Sequence, residues 1–177
     1  MGLERIRPVV KIGTHSIFLA LCLMLWLVPA CVCGVQNNVT VSVEVANGIS
    51  GSNDFIAKVN ISNVTNFDAA NYDIIYDPAA LEVTDVTDGL IGNSTIPVAM
   101  WRVIKPGSLR IINSVPGLPG VSGSGYLTEI RFHVTGLTGN VSEINFSNGV
   151  LSNASANEIH ATWIGQWVHV YAATATP

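Results

Sequence analysis

Carboxylates and imidazoles are the reactive side chains this sequence offers, and their spacing does not assemble them into a catalytic set. Asp73, Asp77, Asp85 and Asp88 are the candidate acids, and His133, His160 and His169 are the histidines of the long polar-apolar region that follows the first thirty or so residues. General acid-base work needs such groups held within hydrogen-bond reach of one substrate. No HExxH, GxSxG, phosphate loop or CxxC is present, and the histidines fall in strand-like stretches without metal-ligand spacing. They read as solvated strand residues. Asp85-Val86-Thr87-Asp88-Gly89 loosely suggests a calcium loop, but such a loop needs more alternating oxygens and a terminal Glu, so a solvated turn is expected. The chain is expected not to be an enzyme and to hold no cofactor and no metal.

Tryptophans offer a different chemistry. Trp163 and Trp167 are four residues apart, which on one continuous strand puts both on the same face, roughly 13 Å apart at about 3.3 Å per residue. With Trp101 they would form an aromatic platform for sugar rings or for the apolar face of a partner. The competing expectation is that at least one indole fills the core, and a bulge at Gly165 would turn one of them over. Seven Asn-X-Ser/Thr sequons, at Asn38, Asn60, Asn63, Asn93, Asn140, Asn145 and Asn153, are acceptor sites for N-glycans in an archaeal or eukaryotic exporter, and only turn-rich composition in most bacteria.

The elements that must position these residues are strands. The 177 residues suffice for one domain, and the sequence is apolar, poor in charge and rich in Gly, Val, Ile, Thr, Ser and Asn. Arg5, Arg7 and Lys11 precede an apolar run from Ile17 to Val28 that ends in Pro29, Ala30 and Gly34, so residues 1–34 read as a signal peptide or an N-terminal membrane anchor. Val28-Pro29-Ala30-Cys31 is an imperfect lipobox, which leaves lipidation at Cys31 as a third fate. Each of the three places the domain outside the cytoplasm, secreted or on the cell surface, with membrane contact only through this segment. Cys22, Cys31 and Cys33 all lie there, so the following domain has no disulfide. Without the leader the chain is more acidic than its formal charge of -4, which argues against nucleic acid as a partner.

From Val39 onward apolar and polar residues alternate. Val39, Val41, Val43 and Val45 form one face, Phe55, Ala57, Val59 and Ile61 another, and a polar connection is expected over residues 62–68. Tyr72, Ile74 and Tyr76 then alternate with Asn71 and Asp73 up to the Asp77-Pro78 stop, after which Leu81 and Val83 restart the pattern. A turn is expected at Asp88-Gly89 and a hairpin across Pro106-Gly107. An irregular surface loop is expected from Pro116 to Gly125. Tyr126, Ile130, Phe132 and Val134 share the face opposite Glu129, Arg131 and His133, and a last strand is expected from Ile159 to Tyr171, before residues 172–177, which resemble the start of a Thr/Pro-rich linker or a tail. About nine short strands without an amphipathic helix imply an all-β, antiparallel two-sheet sandwich; period and turns alone leave jelly roll and immunoglobulin-like Greek key open.

The segment NFDAANYDIIYDPAALEV (residues 66 to 83), with GYLTEIRFHV (residues 125 to 134) and a closing VHV (residues 168 to 170), resembles cohesin domains. The resemblance covers nearly all of residues 36–171. It implies a nine-stranded jelly roll related to certain carbohydrate-binding modules, and a non-catalytic function: docking dockerin-bearing partners in extracellular polysaccharide-degrading assemblies. It implies partner contacts from the strand before the Asp-Pro stop, here Ala69, Asn71 and Asp73, and from an acidic loop that here corresponds to residues 115–120 and carries no carboxylate. Ala69 and Asn71 stand where the family pattern has an Asn and an Asp. Calcium belongs to the dockerin and not to this chain. Direct binding of a surface polysaccharide and a purely structural role on the cell surface are the alternatives.

Overall fold

The structure, a computed structural model, describes residues 38–45, 49–50, 54–117, 119–137 and 139–171. The expected leader (residues 1–34) and the expected linker or tail (residues 172–177) lie outside the described residues. Among those described the secondary structure is entirely β: β1 (Val39–Val45), β2 (Ile49–Ser50), β3 (Asp54–Ile75), β4 (Leu81–Ile91), β5 (Ser94–Ile96), β6 (Val98–Lys105), β7 (Ser108–Ser114), β8 (Val121–Val134), β9 (Val141–Asn153), β10 (Glu158–Ile159), β11 (Ala161–Ile164) and β12 (Gln166–Tyr171). Twelve segments are seen among the described residues where about nine strands are expected, and three of the twelve have only two or three residues.

β3 holds the fold together because it belongs to both layers. Its first part pairs with β1 and β8, and β8 continues to β4 and β5; its last part, from Ala69 to Ile75, pairs with β7 and β9, which continue to β6 and β12. The polar connection expected over residues 62–68 is therefore strand, bent by two register shifts. Asn63 and Asn66 carry the bend at φ 57°, a left-handed conformation that Asn tolerates better than most residues. Their amides are taken up by Ser124 Oγ at 3.0 Å and Ser122 Oγ at 2.9 Å. β8 accordingly starts at Val121, inside the expected surface loop. Gly125 fits there because a Cβ would lie 2.0 Å from the Leu90 carbonyl oxygen.

Side chains from the two layers meet in one core. Val41, Val59, Ile130 and Phe132 come from the first layer and Phe67, Tyr72, Ile74, Ile111 and Ile144 from the second, all fully buried. Full burial of each large apolar side chain stabilises the fold by roughly 1.5–3 kcal/mol. The rings of Tyr76 and Phe132 cross the interface at 5.4 Å. A buried polar bridge joins the layers: Tyr72 donates its hydroxyl to Asn113 Oδ1 at 3.3 Å, and Asn113 donates to the Leu127 carbonyl at 3.0 Å.

Three details depart from simple alternation. A register shift beside Asn60 inserts Leu127 into the core and turns Tyr126 outward, under Lys58 Nζ at 4.8 Å from its ring centre. β4 runs through Asp88-Gly89 to Ile91, so the expected turn lies further on, at Gly92. Most pairings are antiparallel, but β1 with β11 and β12 with β2 are parallel edge pairs. The hairpin at Pro106-Gly107 forms as expected, with Gly107 at φ 77°.

Candidate functional site

Asp77-Pro78 ends β3 and leaves the last part of that strand at the centre of an open sheet face. Asp77 Oδ1 accepts the Ala79 amide at 2.9 Å, and its carbonyl accepts the Ala80 and Leu81 amides at 3.1 and 3.0 Å. Its own amide donates to the buried Ser142 Oγ at 3.0 Å. The carboxylate therefore shapes a turn, in the manner of Asp side chains that fold back on the following backbone.

Inward residues Ala70, Tyr72 and Ile74 fix the opposite direction for Ala69, Asn71, Asp73 and Ile75. Register then sets rows across the outer face of the second layer. Met100, Ile112, Asn71 and Val150 form one row; Arg102, Arg110, Asp73 and Ser147 the next; Lys105, Ser108, Ile75 and Asn145 a third. On the last pair, Trp167 stands opposite Glu143. Ile75, Met100 and Val150 are exposed, and Trp167 has 58% of its surface open. Ser114, Ala69 and Ser152 add a row of small side chains.

The centre of this face is polar and closed. Asp73 is only 2% exposed; Arg110 donates from Nε to its Oδ1 at 2.7 Å and from Nη2 to its Oδ2 at 2.9 Å, and Asn148 donates to Oδ2 at 3.0 Å. The hydrogen bond from Arg110 holds the Asp73 carboxyl below the ordinary carboxylate range, and it raises the Arg110 guanidinium in turn. Ala69 and Asn71 thus lie on the outer face, while Asp73 is covered there by the guanidinium of Arg110.

The tryptophans do not form one platform. β11 pairs with β1 in the first layer and β12 with β9 in the second, so the chain changes layers at Gly165. A Cβ there would sit 2.8 Å from the Ile144 carbonyl oxygen. Trp163 points inward against Tyr72 and Phe146, at ring separations of 5.7 and 5.0 Å, and covers Gly149, whose missing Cβ makes room for the indole. Trp167 points outward on the other layer. Trp101 lies on the edge strand β6 opposite the buried Ile111. The expected 13 Å pair on one face fails because Gly165 divides the strand.

The remaining candidates are dispersed. Asp85 Oδ1 accepts the Val86 amide at 2.9 Å and Asp88 Oδ1 the Val98 amide at 2.8 Å, from an extended strand rather than a loop. His133 Nδ1 lies 2.8 Å from Asp54 Oδ1 and His160 Nδ1 3.6 Å from Glu158 Oε1, both in the open. Among the described residues no three His, Cys, Asp or Glu side chains converge as metal ligands. Of the sequon asparagines, Asn38, Asn63 and Asn93 are exposed and Asn140 is half-buried. Asn60 donates to Glu44 at 2.6 Å, Asn145 donates to Glu143 at 3.1 Å, and Asn153 accepts the amides of Ser155 and Asn157. The Arg110 lid and the cations beside it were missed from sequence; their signal was the Arg110-Asp73 pairing, which needs the β3-β7 register to be seen.

Comparison with known proteins agrees with this architecture. The cohesin domain model matches residues 39–170. A non-cellulosomal cohesin from the hyperthermophilic archaeon Archaeoglobus fulgidus superposes with a TM-score of 0.61 at 23% identity, over 73% of this chain and 88% of that one. The cohesin module of a Clostridium perfringens family 33 glycoside hydrolase gives 0.65 at 16%, over 77% and 97%. The cohesin of a Clostridium thermocellum Coh-OlpA–Doc918 complex gives 0.65 at 15%, over 76% and 99%. No curated protein sequence matches the chain. The jelly-roll sandwich of these neighbours is the fold of residues 39–170, and the chain belongs to the cohesin domain family.

Proposed function

We propose that this chain is a non-catalytic docking module that receives a dockerin on the outer face formed by β6, β7, the last part of β3, β9 and β12. The observation that carries this reading is the open set of apolar side chains on that face, Ile75, Met100, Val150 and Trp167, around a closed Asp73-Arg110 centre. A flat sheet face with exposed apolar anchors suits a partner that lays a helix across it, since a few anchors buried on binding dominate the energetics of such interfaces. Solved family members include complexes with dockerins, such as the Clostridium thermocellum pair and an Acetivibrio cellulolyticus scaffoldin cohesin with the Cel5 dockerin, which supports the choice of partner. Ala69 and Asn71 lie within the proposed footprint.

The basic and apolar segment before residue 35 is the proposed export signal or anchor, which would display the module outside the cytoplasm. Calcium, where binding depends on it, belongs to the dockerin. Pull-down of the full chain with the dockerin modules encoded in the same genome, in calcium and in chelator, tests the reading. Retention of at least one dockerin, lost with Ile75→Asp/Val150→Asp and kept with Ile56→Asp on the other layer, is the expected result. Retention that ignores the outer face of the second layer would overturn it, as would no retention at all.

A further inference from the structure

The two outer faces differ in the sign of their charge. Beyond residue 37 the sequence holds eleven acidic and five basic residues, so cations are scarce. On the first layer, register places Glu44, Asp54, Glu82, Asp85 and Glu129 on the outer face with only Lys58 and Arg131, and Lys58 is bound to Glu129 at 2.9 Å. The other three cations, Arg102, Lys105 and Arg110, are gathered on two adjacent strands of the second layer.

Their arrangement is unfavourable within the chain. Arg102 stands directly opposite Arg110 in the β6-β7 ladder, and like charges directly opposite destabilise a sheet. Asp73, next in that row, is already covered by Arg110, and the next acid on this face, Glu143, lies beyond β3 beside Trp167. Among the described residues neither Arg102 nor Lys105 makes a salt bridge. Lys105 acts on Asp73 through space and both cations are exposed to solvent, so the basic edge of this acidic domain, beside the exposed Met100, is free to complement carboxylates on a partner.

We infer that the docked partner is a module whose contacting surface is acidic where it crosses β6 and β7 and apolar where it crosses Val150 and Trp167. The inference rests on the docking reading and adds the sign and placement of the partner's charge. The basic edge steers the acidic side of the partner and so fixes which way round it lies, because rim charges act mainly on association rate and register.

The test uses the full chain and the calcium-loaded dockerins that it retains, with association rates measured from low to high sodium chloride. The expected result is a rate that falls about tenfold or more as salt rises, a similar loss in Arg102→Glu/Lys105→Glu at low salt, and near-normal binding in Arg102→Lys. Lys58→Glu/Arg131→Glu on the opposite face leaves the rate unchanged. A retained dockerin whose rate ignores both salt and the Arg102/Lys105 reversal overturns the inference and leaves the docking reading standing. No retained dockerin overturns the docking reading first. Loss, in the same reversal variant, of binding to polygalacturonate or of self-association in place of dockerin binding assigns the basic edge to another occupant and also overturns the inference.

Discussion

Arg110 lies across Asp73 from the neighbouring strand, closing both carboxylate oxygens at 2.7 and 2.9 Å at the centre of the face that carries the exposed apolar residues. The carboxylate is thereby covered, and what the face exposes at that position is the guanidinium.

The pair makes stability depend on pH in acid. The Asp73 carboxyl is held below its ordinary value in the folded protein, so the pair's contribution is complete above the unfolded-state value of about 3.9 and is lost as pH falls through the lower folded value. Urea midpoints of the wild type and Asp73→Asn are expected to differ between pH 6 and 8 and to converge below about pH 4. A difference of constant size down to pH 2.5 would show that the charge of Asp73 is not what stabilises the face.

The two C-terminal tryptophans separate by function. Trp163→Ala removes a ring packed on Tyr72, Phe146 and Gly149 and is expected to cost about 3 kcal/mol of stability, whereas Trp167→Ala costs about 0.5 kcal/mol or less and weakens partner binding. Denaturant unfolding of the two variants checks the first half and titration with a retained dockerin the second. Equal stability losses would place both rings in one environment.

Gly165 is required where the chain leaves β11 for β12. Gly165→Ala puts a Cβ 2.8 Å from the Ile144 carbonyl oxygen, an overlap that backbone must relieve, and a loss of roughly 1–3 kcal/mol is expected. Gly92→Ala makes a control of the opposite kind, because its Cβ meets no atom within 4 Å and its cost is backbone strain alone at φ 59°. Unchanged stability in Gly165→Ala would mean that the strands do not approach so closely.

Arg102 opposes Arg110 at the expense of stability. Arg102→Glu converts a like-charge cross-strand pair into an opposite-charge one and is expected to raise the stability of the unbound protein by about 0.3–1 kcal/mol while slowing dockerin association. Thermal unfolding without partner checks the gain. A stability loss would show that Arg102 is satisfied within its own chain.

Much of this fold is legible in the alternation of residues. Val39, Val41 and Val43, the Tyr72-Ile74-Tyr76 series and the Pro106-Gly107 hairpin all follow from period and turn chemistry, because each depends on neighbours in sequence. The bend of β3 does not, since Asn63 and Asn66 look like loop residues until Ser122 and Ser124 are brought to their amides from β8. Tyr126 reads as inward from the alternation alone, because only the β3-β8 register reveals that Leu127 is the extra residue. In the proposed docking face, Ala69 and Asn71 could be placed from the Asp77-Pro78 stop. The lid over Asp73 and the opposition of Arg102 to Arg110 are pairings between strands, and no local pattern encodes them.

In the proposed docking a dockerin sits on the outer face of the second layer. Hydrogen-deuterium exchange of the full chain with and without a retained, calcium-loaded dockerin would locate it. Protection is expected on β6, β7, the 69–75 part of β3 and β9, with β4 and β8 unchanged; protection confined to β4 and β8, or to neither layer, would contradict it.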